Sequence, residues 1–273
     1  MKTAQRLILL LTTIAVAFVS CEKNNNTNNG GGNGVVDNTA QERVIVYTVG
    51  DSENLRTLET EAEWDAMIDL LCEQAYNGNE VTLYNINQTT RLQGTAKGAA
   101  KDNRTINTTN REEIRTWMKE MEKQGLTVRI SYDDGTGTWR GVAYATMPAD
   151  NTSGLLAGTW QFNRMVITHV GTDGSYRGSD LYEPEAGTMY YTFSSDGTVT
   201  MTMHGMDGTN ATDSGTWTLS DDGVLSSELL PNGVVWNVNW ITRNTMVLSH
   251  GEMGGADGDL YYQLQFESTT SVE

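Results

Sequence analysis

The amino-acid sequence predicts an α+β protein, in which a ferredoxin-like βαββαβ domain precedes an eight-stranded antiparallel β-barrel. Three observations support this prediction. Two apolar stripes with helical spacing recur 47 residues apart between residues 42 and 147. From residue 155 the period changes to an alternation of bulky and polar residues, as half-buried strands require. Asp-Gly and Asn-Gly pairs then punctuate that alternation where hairpins must turn.

The chain starts with a targeting pattern rather than a fold element. Lys2 and Arg6 precede an apolar run from Leu7 to Val19, too short to span a bilayer comfortably. Phe18-Val19-Ser20-Cys21 places a small residue before a cysteine, and the segment resembles a bacterial lipoprotein signal. The resemblance implies cleavage before Cys21, lipidation at Cys21 and an outer-membrane lipoprotein of the cell envelope. Ordinary secretion with an unmodified cysteine is the alternative. Residues 22–41 are rich in Asn and Gly and hold too few apolar groups to offset the entropy of ordering, so they read as a tether.

Composition narrows the function classes. Residues 41–150 carry 12 Lys+Arg and 18 Asp+Glu, and residues 155–273 carry 3 Arg, no Lys and 15 Asp+Glu. Surfaces this acidic argue against nucleic acid and against docking on anionic lipid. With Cys21 lipidated, Cys72 is left alone, which excludes a disulfide framework and suits a small buried residue on a helix.

Arg43 to Val49 is an apolar run of central-strand character. Thr60-Glu61-Ala62-Glu63 forms a capping box, after which Trp64, Met67, Ile68, Leu71 and Ala75 make one stripe and Asn77-Gly78 ends the helix. Asn110 to Glu113 repeats the box, Ile114, Trp117, Met118 and Met121 repeat the stripe, and Gly125 repeats the stop. Val81 and Leu83 match Val128 and Ile130 in the strands that follow. A polar strand at 104–108 completes βαββαβ, and residues 127–133 with 138–146 form a hairpin that extends the sheet. The loop 88–102, with Arg91, Lys97 and Lys101, reads as a solvated hairpin tip. Residues 148–154 are small and polar and read as a linker.

Eight strands follow within 155–268: 158–168, 187–194, 198–204, 215–220, 224–229, 234–242, 245–250 and 260–267. Parity selects an inner face with Trp160, Phe162, Tyr191, Phe193, Val199, Met201, Met203, Trp217, Leu219, Trp236, Val238, Trp240, Met246, Leu248, Leu260, Tyr262, Leu264 and Phe266. Closure on itself removes the edges of such a meander, with an open two-sheet sandwich as the alternative. Leu156 to Trp160, Phe193 to Thr198, Gly215-Thr216-Trp217 and Thr245 to Leu248 together resemble the lipocalin-like domain of lipoproteins from Gram-negative gut bacteria. That resemblance implies a small calyx. Its last strand here carries no Arg or Lys.

An eight-stranded barrel either fills with side chains or holds one small ligand. The candidate ligand contacts are Tyr176, Tyr182, Tyr190 and Met206 in or beside the long loops, with Met203 and Trp236 on the wall. Met201, Met203, His204 and Met206 are soft donors, but alternation turns His204 away from the methionines. Asp133-Asp134-Gly135, Asp221-Asp222-Gly223 and Asp257-Gly258-Asp259 lack EF-hand spacing and read as turns. Catalytic, cofactor and metal signatures are not among the motifs of this chain. Two functions remain: a non-catalytic envelope protein whose barrel binds a small apolar or amphipathic ligand, or an interaction module with a filled barrel and a protein partner.

Overall fold

The computed structural model describes residues 43–86, 104–147, 149–173, 175–185, 187–231, 235–255 and 258–269, all within one compact unit. Cys21, the targeting segment, the tether and the loop with Arg91, Lys97 and Lys101 lie outside the described residues.

The first part contains β1 (Arg43–Val49), β2 (Ser52–Leu58), α1 (Glu61–Tyr76), β3 (Val81–Asn85), β4 (Arg104–Thr108), α2 (Arg111–Lys123), β5 (Thr127–Asp133) and β6 (Thr138–Tyr144). The expected α+β class holds. The topology is ββαββαββ rather than βαββαβ, in an antiparallel sheet ordered β2-β1-β3-β5-β6-β4. β2 escapes sequence reading because SENLRTL is mostly exposed and carries no apolar alternation. Gly50, at φ 57°, makes the turn that folds it back on β1.

The palindromic order has a simple origin. In each half a helix joins two parallel strands, β2 to β3 and β4 to β5, and a third strand fits between them. The halves meet where β3 pairs with β5, and the residues matched in sequence interlock there as Val81 with Ile130 and Leu83 with Val128. The 47-residue repeat is therefore a local two-fold.

Thr60 caps α1 as a full box: its Oγ1 accepts from Glu63 N, and its own N–H donates to Glu63 Oε2. The box expected at α2 forms only in part. Asn110 accepts from Glu112 N, while Glu113 turns back to accept from the Thr108 hydroxyl. Gly78 and Gly125 both take positive φ at the helix ends, 89° and 71°. Both stripes pack on one sheet face with Cys72 among them, buried beside the Met118 sulfur. Gly141 gives the Trp117 ring its place over β6, since a Cβ there would lie 2.5 Å from the ring.

The stretch expected as a linker holds a helix, α3 (Ala149–Leu156), with Thr152 and Leu156 fully buried. After it come β7 (Gly158–Val170), β8 (Tyr176–Tyr182), β9 (Met189–Phe193), β10 (Thr198–His204), β11 (Asn210–Leu219), β12 (Val224–Ser227), β13 (Val235–Ile241), β14 (Thr245–Gly255) and β15 (Gly258–Ser268). β7 and β9 to β15 follow one another in the sheet, and β15 pairs back onto β7. The barrel is closed and eight-stranded, so the open sandwich is excluded. β8 is an additional strand on the far half of β7, where β9 no longer reaches.

The sheet face turned away from the helices meets the outside of the barrel. Val46, Tyr84 and Ile86 form one buried cluster with Trp240 and Val247. This corrects the parity that placed Trp240 inside the barrel. A bulge between Val238 and Trp240 inserts Asn239, so Trp240 pairs with Val247 and faces outward. Polar groups across the seam hold the bulge: Thr127 Oγ1 donates to Asn239 O at 2.6 Å, and Asn239 Nδ2 donates to Ala145 O at 3.0 Å. Beside it, Met147 N donates to Val238 O and Thr146 Oγ1 to Asp222 O. The hydroxyls of Thr242 and Thr245 both donate to Glu53.

Candidate functional site

Strand register builds the inner wall in tiers. The closed end is aromatic: Phe162 lies opposite Phe266, which lies opposite Met246, and Trp160 lies opposite Tyr191. Phe162 and Phe266 have ring centroids 5.4 Å apart, and Tyr191 meets Phe266 edge-on at 5.7 Å. Trp160 Nε1 donates to Leu156 O at 2.9 Å, tying α3 to this end. All these side chains are buried. Burial raises the Tyr191 phenol well above its ordinary range.

Next along β7 a second bulge, at Asn163, keeps the inner face in phase, so that Met165 faces Leu264. This tier runs Tyr182, Met165, Leu264, Leu248, Val238 across five strands. Tyr182 stacks on Phe162 at 6.3 Å, and burial pushes its phenol upward. The third tier is more polar: Asp180, Ile167, Tyr262 and His250 lie opposite one another in turn, and the Trp236 ring is 5.7 Å from His250. At the rim stand His169, Leu260 and Glu252.

Exposure differs within the tiers, and Leu264, Leu248, Val238 and Trp236 are fully buried. Met165, Ile167, His169, Tyr182, Met203, Leu260 and Tyr262 are partly exposed, whereas Trp160, Phe162, Phe193 and Phe266 are not. One end is sealed by rings and the other is reached by solvent. At the open end His169 Nε2 and Asp180 Oδ2 are 2.8 Å apart, and the Tyr262 hydroxyl donates to Glu252 Oε2 at 3.3 Å. Burial, then the Glu252 carboxylate, raises the Tyr262 phenol.

Of the residues singled out in the sequence, Tyr182, Met203 and Trp236 lie on this inner wall. Tyr190 is on the outer face, edge-on to His204, because odd and even positions of β9 take opposite sides. Met206 is 92% exposed in the turn after β10. Tyr176 starts β8, and its side chain lies outside the described residues. The structure does not gather the four sulfur and imidazole donors of β10: His204 points outward onto Asn210, opposite to Met201 and Met203. The Asp-Gly motifs at 134–135, 196–197 and 222–223 are turns, with Asp133 accepting from Gly135 N and Asp196 from Thr198 N, and Asp257 lies outside the described residues.

Sequence reading did not place His169, Asp180, His250 or Glu252 on this wall. His250 and Glu252 simply continue the even parity of Met246 and Leu248, a signal that was present. Asp180 required recognising YRGSDLY as a strand, and His169 required the bulge at Asn163.

Residues 156–248 match the family model described as lipocalin-like domain. This part of the chain resembles that family and folds as a closed eight-stranded barrel. Among solved structures, the chain is similar to a lipocalin-like protein from Bacteroides uniformis, at 20% identity over 42% of this chain and 99% of that one, with a TM-score of 0.28. An uncharacterized protein from Bacteroides eggerthii matches at 14% identity over 41% and 98%, TM-score 0.26. Lobster apocrustacyanin A1 matches at 11% over 45% and 66%, TM-score 0.29. No curated protein matches the chain.

Proposed function

We propose that this chain is a non-catalytic, lipid-anchored protein of the outer membrane whose lipocalin-like barrel binds a small apolar or amphipathic molecule. The observation that carries the reading is the partial exposure of Met165, Ile167, Met203 and Tyr262 on an inner wall whose other end is sealed by Trp160, Phe162 and Phe266. A wall of this kind offers an apolar floor for the body of a ligand and an entrance where a polar end can stay hydrated. The anchor is proposed from the sequence at Cys21, with residues 22–41 holding the barrel off the membrane.

Two experiments test this. Native mass spectrometry of the protein purified from its own cells is expected to show a co-purified small molecule, released on unfolding. Chain that carries no adduct, and that binds no apolar dye, would leave the barrel as a structural module for a protein partner. For the anchor, labelled palmitate should enter the protein and be lost in Cys21→Ala, which should leave the membrane fraction. An unlabelled wild-type chain in the soluble fraction would remove the lipoprotein assignment.

A further inference from the structure

Trp236 is fully buried on the inner wall, opposite Leu225, and its neighbour Val235 points outward, 53% exposed. Its Nε1–H has no hydrogen-bond partner. Buried indole N–H groups nearly always find one, because leaving the donor unpaired forfeits its hydration without replacement. Among the described buried polar atoms without a partner, this is the one on the barrel's inner wall; the others belong to the first part, its seam or the outer face. A ligand acceptor is the natural complement.

The neighbouring groups restrict which acceptor. His250 lies beside the indole, and its Nδ1 is 3.0 Å from Val235 O. A carbonyl only accepts, so Nδ1 carries a proton, and in that tautomer Nε2 is the acceptor. Farther up the same wall stand Asp180, Glu252 and, opposite Met201, Asp213. Asp180 has the His169 imidazole at 2.8 Å, and among the described residues no lysine or arginine bonds any of the three. Residues 155–273 contain only Arg164, Arg177 and Arg243 as fixed positive charges: Arg164 faces outward onto Gln265, Arg177 is exposed beside Gly171 and Asp173 at the β7–β8 turn, and Arg243 is exposed in a turn.

We infer that the ligand carries an uncharged oxygen acceptor, a carbonyl or hydroxyl on an apolar body, which takes the Trp236 Nε1–H. This rests on the calyx reading above. A hydrocarbon leaves the indole unpaired. An ammonium brings no acceptor, and a carboxylate must pass the exposed Asp180 and Glu252 at the mouth and then lose its hydration beside the buried indole. A hydroxyl fits on both counts, because it can also donate to His250 Nε2.

The test uses the chain from Glu22 onward, which keeps the whole compact unit, with N-phenyl-1-naphthylamine as the fluorescent probe. Decan-2-one, decan-1-ol, decanoate and decyltrimethylammonium are compared as displacing agents. The two neutral molecules are expected to displace the dye at concentrations about tenfold below those of the two ions, the equivalent of one hydrogen bond. In nitrogen–proton correlation spectra, decan-2-one should shift the Trp236 indole signal, assigned by its loss in Trp236→Phe. The same variant should bind the dye but lose the preference for the ketone. Equal displacement by decanoate, or displacement by the ketone with an unmoved Trp236 signal, overturns the inference while leaving the calyx. Failure of the dye and all four probes to bind overturns both. Should Trp236→Phe not fold, the wild-type indole signals, assigned by sequential connectivity, decide the matter.

Discussion

Replacing Trp240 by alanine separates the seam from the barrel interior. Trp240 is 1% exposed, packs with Val46, Tyr84, Ile86 and Val247, and donates from Nε1 to Thr245 Oγ1 at 3.0 Å. A buried indole removes about 200 Å² from water, which at about 25 cal/mol/Å² is an upper limit near 5 kcal/mol. Measured Trp-to-Ala losses in cores run about 3–5 kcal/mol, the hydrogen bond and residual cavity included. For a body of this size each kcal/mol lowers Tm by about 2–4 °C, so Trp240→Ala should melt roughly 6–20 °C lower. Calorimetry and urea titration read the loss, and dye displacement reads the barrel. The expected result is a strong loss of stability with ligand affinity unchanged. Tyr84 stacks on the same ring at 6.5 Å and 17°, and the double mutant with Tyr84→Leu should show a coupling of about 0.5–1.5 kcal/mol. A loss below about 1 kcal/mol, or a selective loss of dye binding, would refute the outward placement and restore Trp240 to the interior.

Other predictions follow from single positions. Gly223 sits at φ 75° with a Cβ direction 2.1 Å from Met147 O, so Gly223→Ala must force the seam strands apart; hydrogen exchange at the Val238 amide, which bonds Gly223 O, should accelerate, and an unchanged rate would show that the contact is slack. Glu122 is 1% exposed beside Asn85 and Arg43, and its pKa is raised, by burial first, with Asn85 and Arg43 acting in the opposite direction. With the folded pKa above the unfolded one, the unfolded chain loses its proton first, so this group lowers stability as pH rises from the ordinary carboxylate range through the folded pKa. Glu122→Gln should therefore gain in Tm relative to wild type as pH rises through that window, and a constant difference would show that the carboxyl is not the source. Asp173, Asp196 and Asp207 have lowered pKa values because each accepts from the hydroxyl and then the amide two residues on. Their contribution is present above the unfolded pKa and is lost as pH falls through the folded one, so replacing all three by alanine should flatten the acid limb of the stability curve. The Cys72 thiol, raised by burial to about 11, should resist aromatic disulfide reagents until the protein is unfolded, and rapid native labelling would contradict its burial.

The sequence by itself determined what depends on local period and turn chemistry. Alternation located β7 and β9 to β15 and put Trp160, Phe193, Met201 and Trp236 on one wall, because successive residues of a strand must take opposite faces. The capping box of Thr60 and the glycines at 78 and 125 fixed both helices of the first part, since these needs are met within a few residues. Tertiary structure decided the rest. Parity reverses at any inserted residue, and nothing near Asn239 announces the insertion: its stabilising partners, Thr127 and Ala145, lie about a hundred residues away. The same holds for β2, whose exposed polar chain becomes a strand only because β1 offers an edge, and for the sheet order, which depends on β6 entering between β4 and β5. The polar tier of the barrel belongs with these. His169, Asp180, His250 and Trp236 come together only when β15 closes on β7, because that closure brings residues from both ends of the barrel sequence onto one wall.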